Sequence, residues 1–137
     1  MPDAQILEAI APGGGRPDLV RRHEIEGARI AADVLGELRH PAERIARVVE
    51  IIDGHDSRRH ALSLEDAIMK DADKLWRVTA HGRATVCRWF GLSPDESLRI
   101  TAARVQDALL TDEGRTIAQA LIATASVDLL PERQDLE

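Results

Sequence analysis

The stretch "HPAERIARVVEIIDG", residues 40–54, carries the clearest helical pattern in the sequence. Four of its apolar residues recur at the i, i+3, i+4, i+7 spacing of an amphipathic helix: Ile45, Val48, Val49 and Ile52. Pro41 suits the first helical position, and Gly54 marks the end of the helix. No part of the sequence shows the two-residue alternation of a strand, so the sequence predicts an all-α protein.

Similar patterns extend the helical prediction in both directions. Predicted helices cover residues 18–38, 41–53, 63–80, 93–110 and 112–130, with a short one over residues 2–10. Two of them begin at capping-box signals, Ser63 with Asp66 and Ser93 with Glu96. Gly27 lies inside the first long helix, where glycine costs about 1 kcal/mol relative to alanine. Such a cost indicates that a neighbouring helix packs closely there.

Composition excludes several classes of protein. A chain of 137 residues is long enough for one self-standing domain. Its net charge of -6 repels polyanions, and one Phe, two Trp and no Tyr leave few stacking surfaces, so we expect no nucleic-acid partner. The single cysteine, Cys87, fits a reducing compartment. Without a long apolar run or a signal-peptide layout, the sequence predicts a cytoplasmic protein with no membrane partner.

Two histidines stand at positions that helix pairing would bring together. His23 lies in the helix before residues 40–54, and His55 follows the end of the next one. Consecutive helices joined by a short connection pack antiparallel, so both imidazoles are expected at one end of the pair. Imidazole suits divalent transition-metal ions, and a carboxylate would complete the shell. The alternative is two solvated histidines at helix ends.

Three segments resemble one protein family when taken in order. They are "RRHEIEGARIAADVLGEL", "HPAERIARVVEIIDGHD" and "AIMKDADKLW", residues 21–38, 40–56 and 67–76. Together they resemble the later part of the HD-domain metal-dependent phosphohydrolases, which are all-helical. The resemblance implies a remnant helix and Gly-rich loop over residues 1–17, an HD-like core over 18–80, and a C-terminal helical pair over 81–137.

The resemblance also implies a set of metal ligands. Asp73 matches the family's final aspartate, and His23 and His55 match additional histidines that bind metal or phosphate in some members. On the helical wheel, however, Asp71 falls on an apolar stripe that Asp73 avoids, so Asp71 is an alternative ligand, as is Asp56. The expected cofactor is a divalent ion (Mn, Mg, Fe, Ni or Zn), with an empty site as the other outcome.

The family's first histidine and its His-Asp dyad would precede the matched segments. The dyad is then lost, supplied elsewhere or encoded upstream of an internal start, and we expect the metal site within this chain to be incomplete. Assigning His55 and Asp56 to the dyad is disfavoured, because "SRRH" follows Asp56 and too little chain separates it from Asp73.

Arginines flank both histidines and suggest a phosphate. They are Arg21, Arg22, Arg58 and Arg59. Arginine binds phosphate bidentately, although arginines at helix ends also occur simply as solvated surface. The expected function is an HD-type phosphohydrolase acting on a small phosphorylated metabolite or nucleotide. The alternative is a non-catalytic remnant, an oligomerisation or partner-binding domain whose uncovered apolar surface is buried in a homodimer.

Overall fold

The structure, a computed structural model, describes residues 15–130 and is all-α over that range, as the sequence predicts. Its helices are α1 (Pro17–Glu37), α2 (Ala42–Ile52), α3 (Leu64–Leu75), α4 (Ala80–Phe90), α5 (Pro94–Ala108) and α6 (Asp112–Asp128). A 3₁₀ turn, Trp76–Val78, stands between α3 and α4. The short helix predicted over residues 2–10 lies outside the described residues.

The chain divides into two compact units, the first ending at Met69 and the second beginning at Lys70. This division falls within α3, whereas the resemblance to HD domains suggested segments that meet at residues 80 and 81. Each unit has its own set of internal contacts.

In the first unit, α1 packs against α2. Only a short connection links them, so they run antiparallel, and the end of α2 lies beside the first half of α1. Gly27 makes this approach possible, because a Cβ there would lie 3.3 Å from Cγ2 of Ile52. The close packing predicted at Gly27 is therefore confirmed.

The loop after α2 is held by one arginine. Gly54 adopts a φ of 104°, a conformation that favours glycine. The guanidinium of Arg58 donates to the carbonyl oxygen of Asp53 at 2.9 Å and to Oδ2 of the buried Asp66 at 2.9 Å. A cation that binds carbonyls at a helix C-terminus also complements the helix dipole. These contacts fix the path of the chain from α2 towards α3.

In the second unit, the core forms where α5 and α6 pack together with the 3₁₀ turn. Its buried members are Val78, Val105, Leu109 and Ala118, with Leu75, Leu121 and Ile122 packed against them. The predicted capping box at Ser93 and Glu96 is present in full at the start of α5. Thr111 caps α6 by accepting the N–H of Gly114.

Helix α4 was not predicted, and the helix predicted over residues 63–80 is too long at its C-terminal end. The α-helix stops at Leu75, and Thr79 then takes an extended conformation and caps a new helix by accepting the N–H of Gly82. Gly91 ends α4 with a φ of 63°. Gly82 and the β-branched residues of "AHGRATVCRWF" weaken the helical signal of this segment, although Thr79 and Gly91 are the cap residues that could have revealed it.

Candidate functional site

The imidazoles of His23 and His55 lie against each other at one end of the α1–α2 pair. Their ring centroids are 5.3 Å apart, and the rings meet edge to face at 65°. His23 is exposed on α1, one turn before Gly27, where the end of α2 comes closest. The antiparallel packing therefore produces the juxtaposition that the sequence suggested.

His55 is oriented from both sides of its ring. Nδ1 lies 2.9 Å from the carbonyl oxygen of Ile52, which can only accept, so Nδ1 carries a hydrogen. Nε2 lies 3.3 Å from Oδ2 of Asp56. Nε2 is therefore the ring nitrogen that faces the Asp56 carboxylate.

His23, His55 and Asp56 together form a donor group of the kind that holds a metal ion, with donor atoms within 4.8 Å of one another. Two donor atoms that bind the same ion, each at about 2.1 Å, can be no more than about 4.2 Å apart. The pair formed by His55 and Asp56 meets this limit. The exposed ring of His23 would move by on the order of 1 Å to complete the shell. Two imidazoles and a carboxylate are a donor set suited to zinc and its neighbours.

Glu24 holds the loop that carries Asp56, and this contact was difficult to predict from the sequence. Although its side chain is fully buried, Oε1 accepts the backbone N–H groups of Asp56 at 2.9 Å and Ser57 at 2.7 Å. Oε2 accepts the hydroxyl of Ser57 at 2.8 Å and Nη1 of Arg21 at 3.1 Å. The only signal was Ala28 one turn later, a small residue typical of a closely packed helix face.

These hydrogen bonds keep Glu24 ionised in spite of its burial. Burial by itself raises the pKa of the carboxyl group, whereas the donors from Ser57, Arg21 and Asp56 lower it. The pKa is lowered overall. The loop is therefore attached to α1 through charge-assisted hydrogen bonds, which are stronger than neutral ones.

Two of the four arginines predicted to bind phosphate are engaged by protein groups. Arg21 pairs with Asp53 and with Glu24, and Arg58 binds the end of α2 together with Asp66. These contacts give both guanidinium groups a structural role. Arg22 and Arg59 are exposed and remain the better placed of the four for a ligand.

Asp71 and Asp73, the two aspartates of α3 that the sequence suggested as ligands, lie in the second unit and have different surroundings. Asp71 is buried, and its carboxylate accepts the N–H of Leu110 at 2.8 Å and both the N–H and the hydroxyl of Thr111. It therefore supports the start of α6, which explains a carboxylate on an apolar stripe without a metal ion. Asp73 is half-exposed and pairs with Arg77 at 3.0 Å. Its role as a metal ligand stays a prediction.

Comparison with known proteins finds no matching family model, no curated relative and no solved structure of similar fold. The likeness to HD domains therefore depends on the sequence motifs alone. Among the helices of residues 15–130, none combines the length and the apolar character needed to cross a bilayer.

Proposed function

We propose that this protein is a metal-dependent phosphohydrolase of the HD type, acting on a small phosphorylated metabolite or nucleotide. The convergence of His23, His55 and Asp56 supports the proposal most strongly. Of the ligands that the sequence suggested, both histidines belong to this group, and the carboxylate beside them is Asp56, one of the two alternatives to Asp73.

The proposed site divides its tasks among a few residues. The divalent ion (Mn, Mg, Fe, Ni or Zn) would polarise a phosphoryl oxygen and activate water. Asp56 supplies negative charge to hold the cation, and the contact with Ile52 fixes the ring of His55 so that Nε2 faces the site. Arg22 precedes His23 on α1, Arg59 follows His55 in the loop after α2, and both are exposed, so they provide cations for the phosphate.

The test measures metal content and phosphate ester hydrolysis in the same preparations. Protein loaded with Zn²⁺ or Mn²⁺ and then dialysed should retain about one ion per chain and hydrolyse p-nitrophenyl phosphate or bis(p-nitrophenyl) phosphate. The substitution His55→Ala removes one of the three metal-donor side chains, so both the bound ion and the hydrolysis should be lost. His60→Ala is the matched control, an exposed histidine in the same loop region.

Two results would count against the enzyme. One is wild-type protein that retains no ion and hydrolyses neither ester. The other is loss of metal in His60→Ala as large as in His55→Ala, which would show that exposed histidines bind the ion without a defined site.

A second candidate function has an observation of its own. Ile30 at 49% and Val34 at 48% are exposed to solvent on α1, and so is Leu38, the C-cap residue of this helix, at 65%. They recur at i, i+4 and i+8 and so share one face of the helix. An exposed apolar face favours a non-catalytic HD-like remnant that acts as a homodimer or binds a partner. A metal-free dimer without esterase activity would support this candidate. Under both candidate functions, the cytoplasmic location stays a prediction.

A further inference from the structure

Glu24 is a buried charged side chain that binds the loop bearing the proposed donors through two backbone N–H groups. Its neighbour in sequence is His23, yet the two side chains do different things. His23 is exposed beside His55, whereas Glu24 is fully buried and accepts four hydrogen bonds. Since both carboxylate oxygens already have two donors each, Glu24 is not available as a metal ligand.

The pattern of donors shows what Glu24 fixes. The N–H groups of Asp56 and Ser57 both bind Oε1, which sets the orientation of the peptide on each side of Asp56. The Asp56 carboxylate then lies 3.3 Å from Nε2 of His55. Because Glu24 and His23 are adjacent on α1, the same helix carries one donor and the anchor of the other two.

We propose that Glu24 is the positioning residue of the site, which fixes the loop over residues 53–58 so that His55 and Asp56 face His23. The proposal deepens the function proposed above and depends on it for the metal ion. When the ligands are already ordered in the absence of the ion, less free energy is lost on binding. Removal of an outer-shell hydrogen-bond partner of the ligands lowers metal affinity by about 10- to 100-fold.

The experiment compares Glu24→Ala with Glu26→Ala. Both variants remove one carboxylate of α1, but Glu26 is half-exposed and forms an ion pair with Arg29 of the same helix. Co²⁺ is the probe, because its visible absorption reports the number and type of ligands while a titration gives the affinity. Amide hydrogen exchange at Asp56 and Ser57 reports the loop without any metal.

Glu24→Ala should weaken Co²⁺ binding at least tenfold, change the intensity of the visible band and release the Asp56 and Ser57 amides from protection, while Glu26→Ala matches the wild type. Amides in the middle of α1 should keep their protection in both variants, which separates an effect on the loop from general unfolding. Ser57→Ala, which removes a single hydroxyl donor, should give a smaller change in the same direction.

The outcomes separate this proposal from the proposed function. Equal Co²⁺ affinity and equal amide protection in Glu24→Ala and wild type would overturn the positioning role and leave the metal site intact. If wild-type protein binds no Co²⁺, the proposed function fails, and the amide exchange alone then decides whether Glu24 sets the loop. Unchanged protection in that case would overturn the positioning role as well.

Discussion

Asp71 and Asp73 are two residues apart on α3, but their carboxylates make different contacts. Asp71 is buried and accepts three hydrogen bonds from the residues that precede α6. Asp73 makes an i, i+4 ion pair with Arg77 at the partly exposed surface. Surface pairs contribute little, whereas a buried donor that loses its acceptor costs about 1–3 kcal/mol.

Asp71→Ala should therefore lower the free energy of unfolding by about 3 kcal/mol, because the N–H groups of Leu110 and Thr111 lose a charged acceptor. Asp73→Ala is the matched control and should change it by less than about 1 kcal/mol. Urea denaturation followed by the fluorescence of Trp76 and Trp89, both in the second unit, measures the difference. Equal effects of the two substitutions would contradict the structural role of Asp71.

Asp71 also shows which properties of a single residue a sequence pattern can predict. The helical wheel identified a carboxylate where an apolar residue belongs. It could not identify the groups that compensate for it, because Leu110 and Thr111 are distant in the sequence. Glu24 is a similar case, since its hydrogen-bond donors lie in the loop after the next helix.

Among the helices, α4 depends most on a single glycine. A Cβ on Gly82 would lie 2.0 Å from the carbonyl oxygen of Trp76, which is backbone and cannot turn away. This close approach lets α4 follow the 3₁₀ turn directly, with Thr79 as its cap. The glycine that made the helix difficult to predict is therefore the residue that allows its packing.

Gly82→Ala should destabilise the protein by about 2–3 kcal/mol, because the added methyl group forces the 3₁₀ turn and α4 apart. Gly36→Ala is the control. A Cβ at Gly36 meets nothing within 4 Å, so the variant should be more stable by about 0.5–1 kcal/mol through helix propensity. Denaturation midpoints of the two variants measure both effects. A neutral Gly82→Ala would show that α4 does not need this contact.

The helices α1 and α2 were easier to predict because their signals are local. Apolar spacing, Pro41 and Gly54 lie within the segment that they define, and Gly27 indicated the close packing against Ile52. The approach of His23 to His55 followed from these helices and their short connection. The choice of carboxylate did not, because it is decided by how the loop after Gly54 folds back onto Glu24.

Across the molecule, the proposed donors and their anchor all belong to the first unit. His23 and Glu24 come from α1, and His55 and Asp56 from the loop after α2, so one helical pair carries the whole group. The second unit has its own core and the buried Asp71 contact. With a net charge of -6 for the chain, binding of a phosphorylated substrate would depend on local cations such as Arg22 and Arg59.

The most direct test of the metal site is a Zn²⁺ titration that observes every imidazole. The chain has five histidines, at positions 23, 40, 55, 60 and 81, and long-range ¹H–¹⁵N spectra resolve the ring nitrogens of each. The proposed site predicts that the nitrogens of His23 and His55 shift together and saturate at about one equivalent, while the other three stay in place. Ring signals of His23 and His55 that remain unchanged, or five histidines that shift in parallel without saturation, would contradict it.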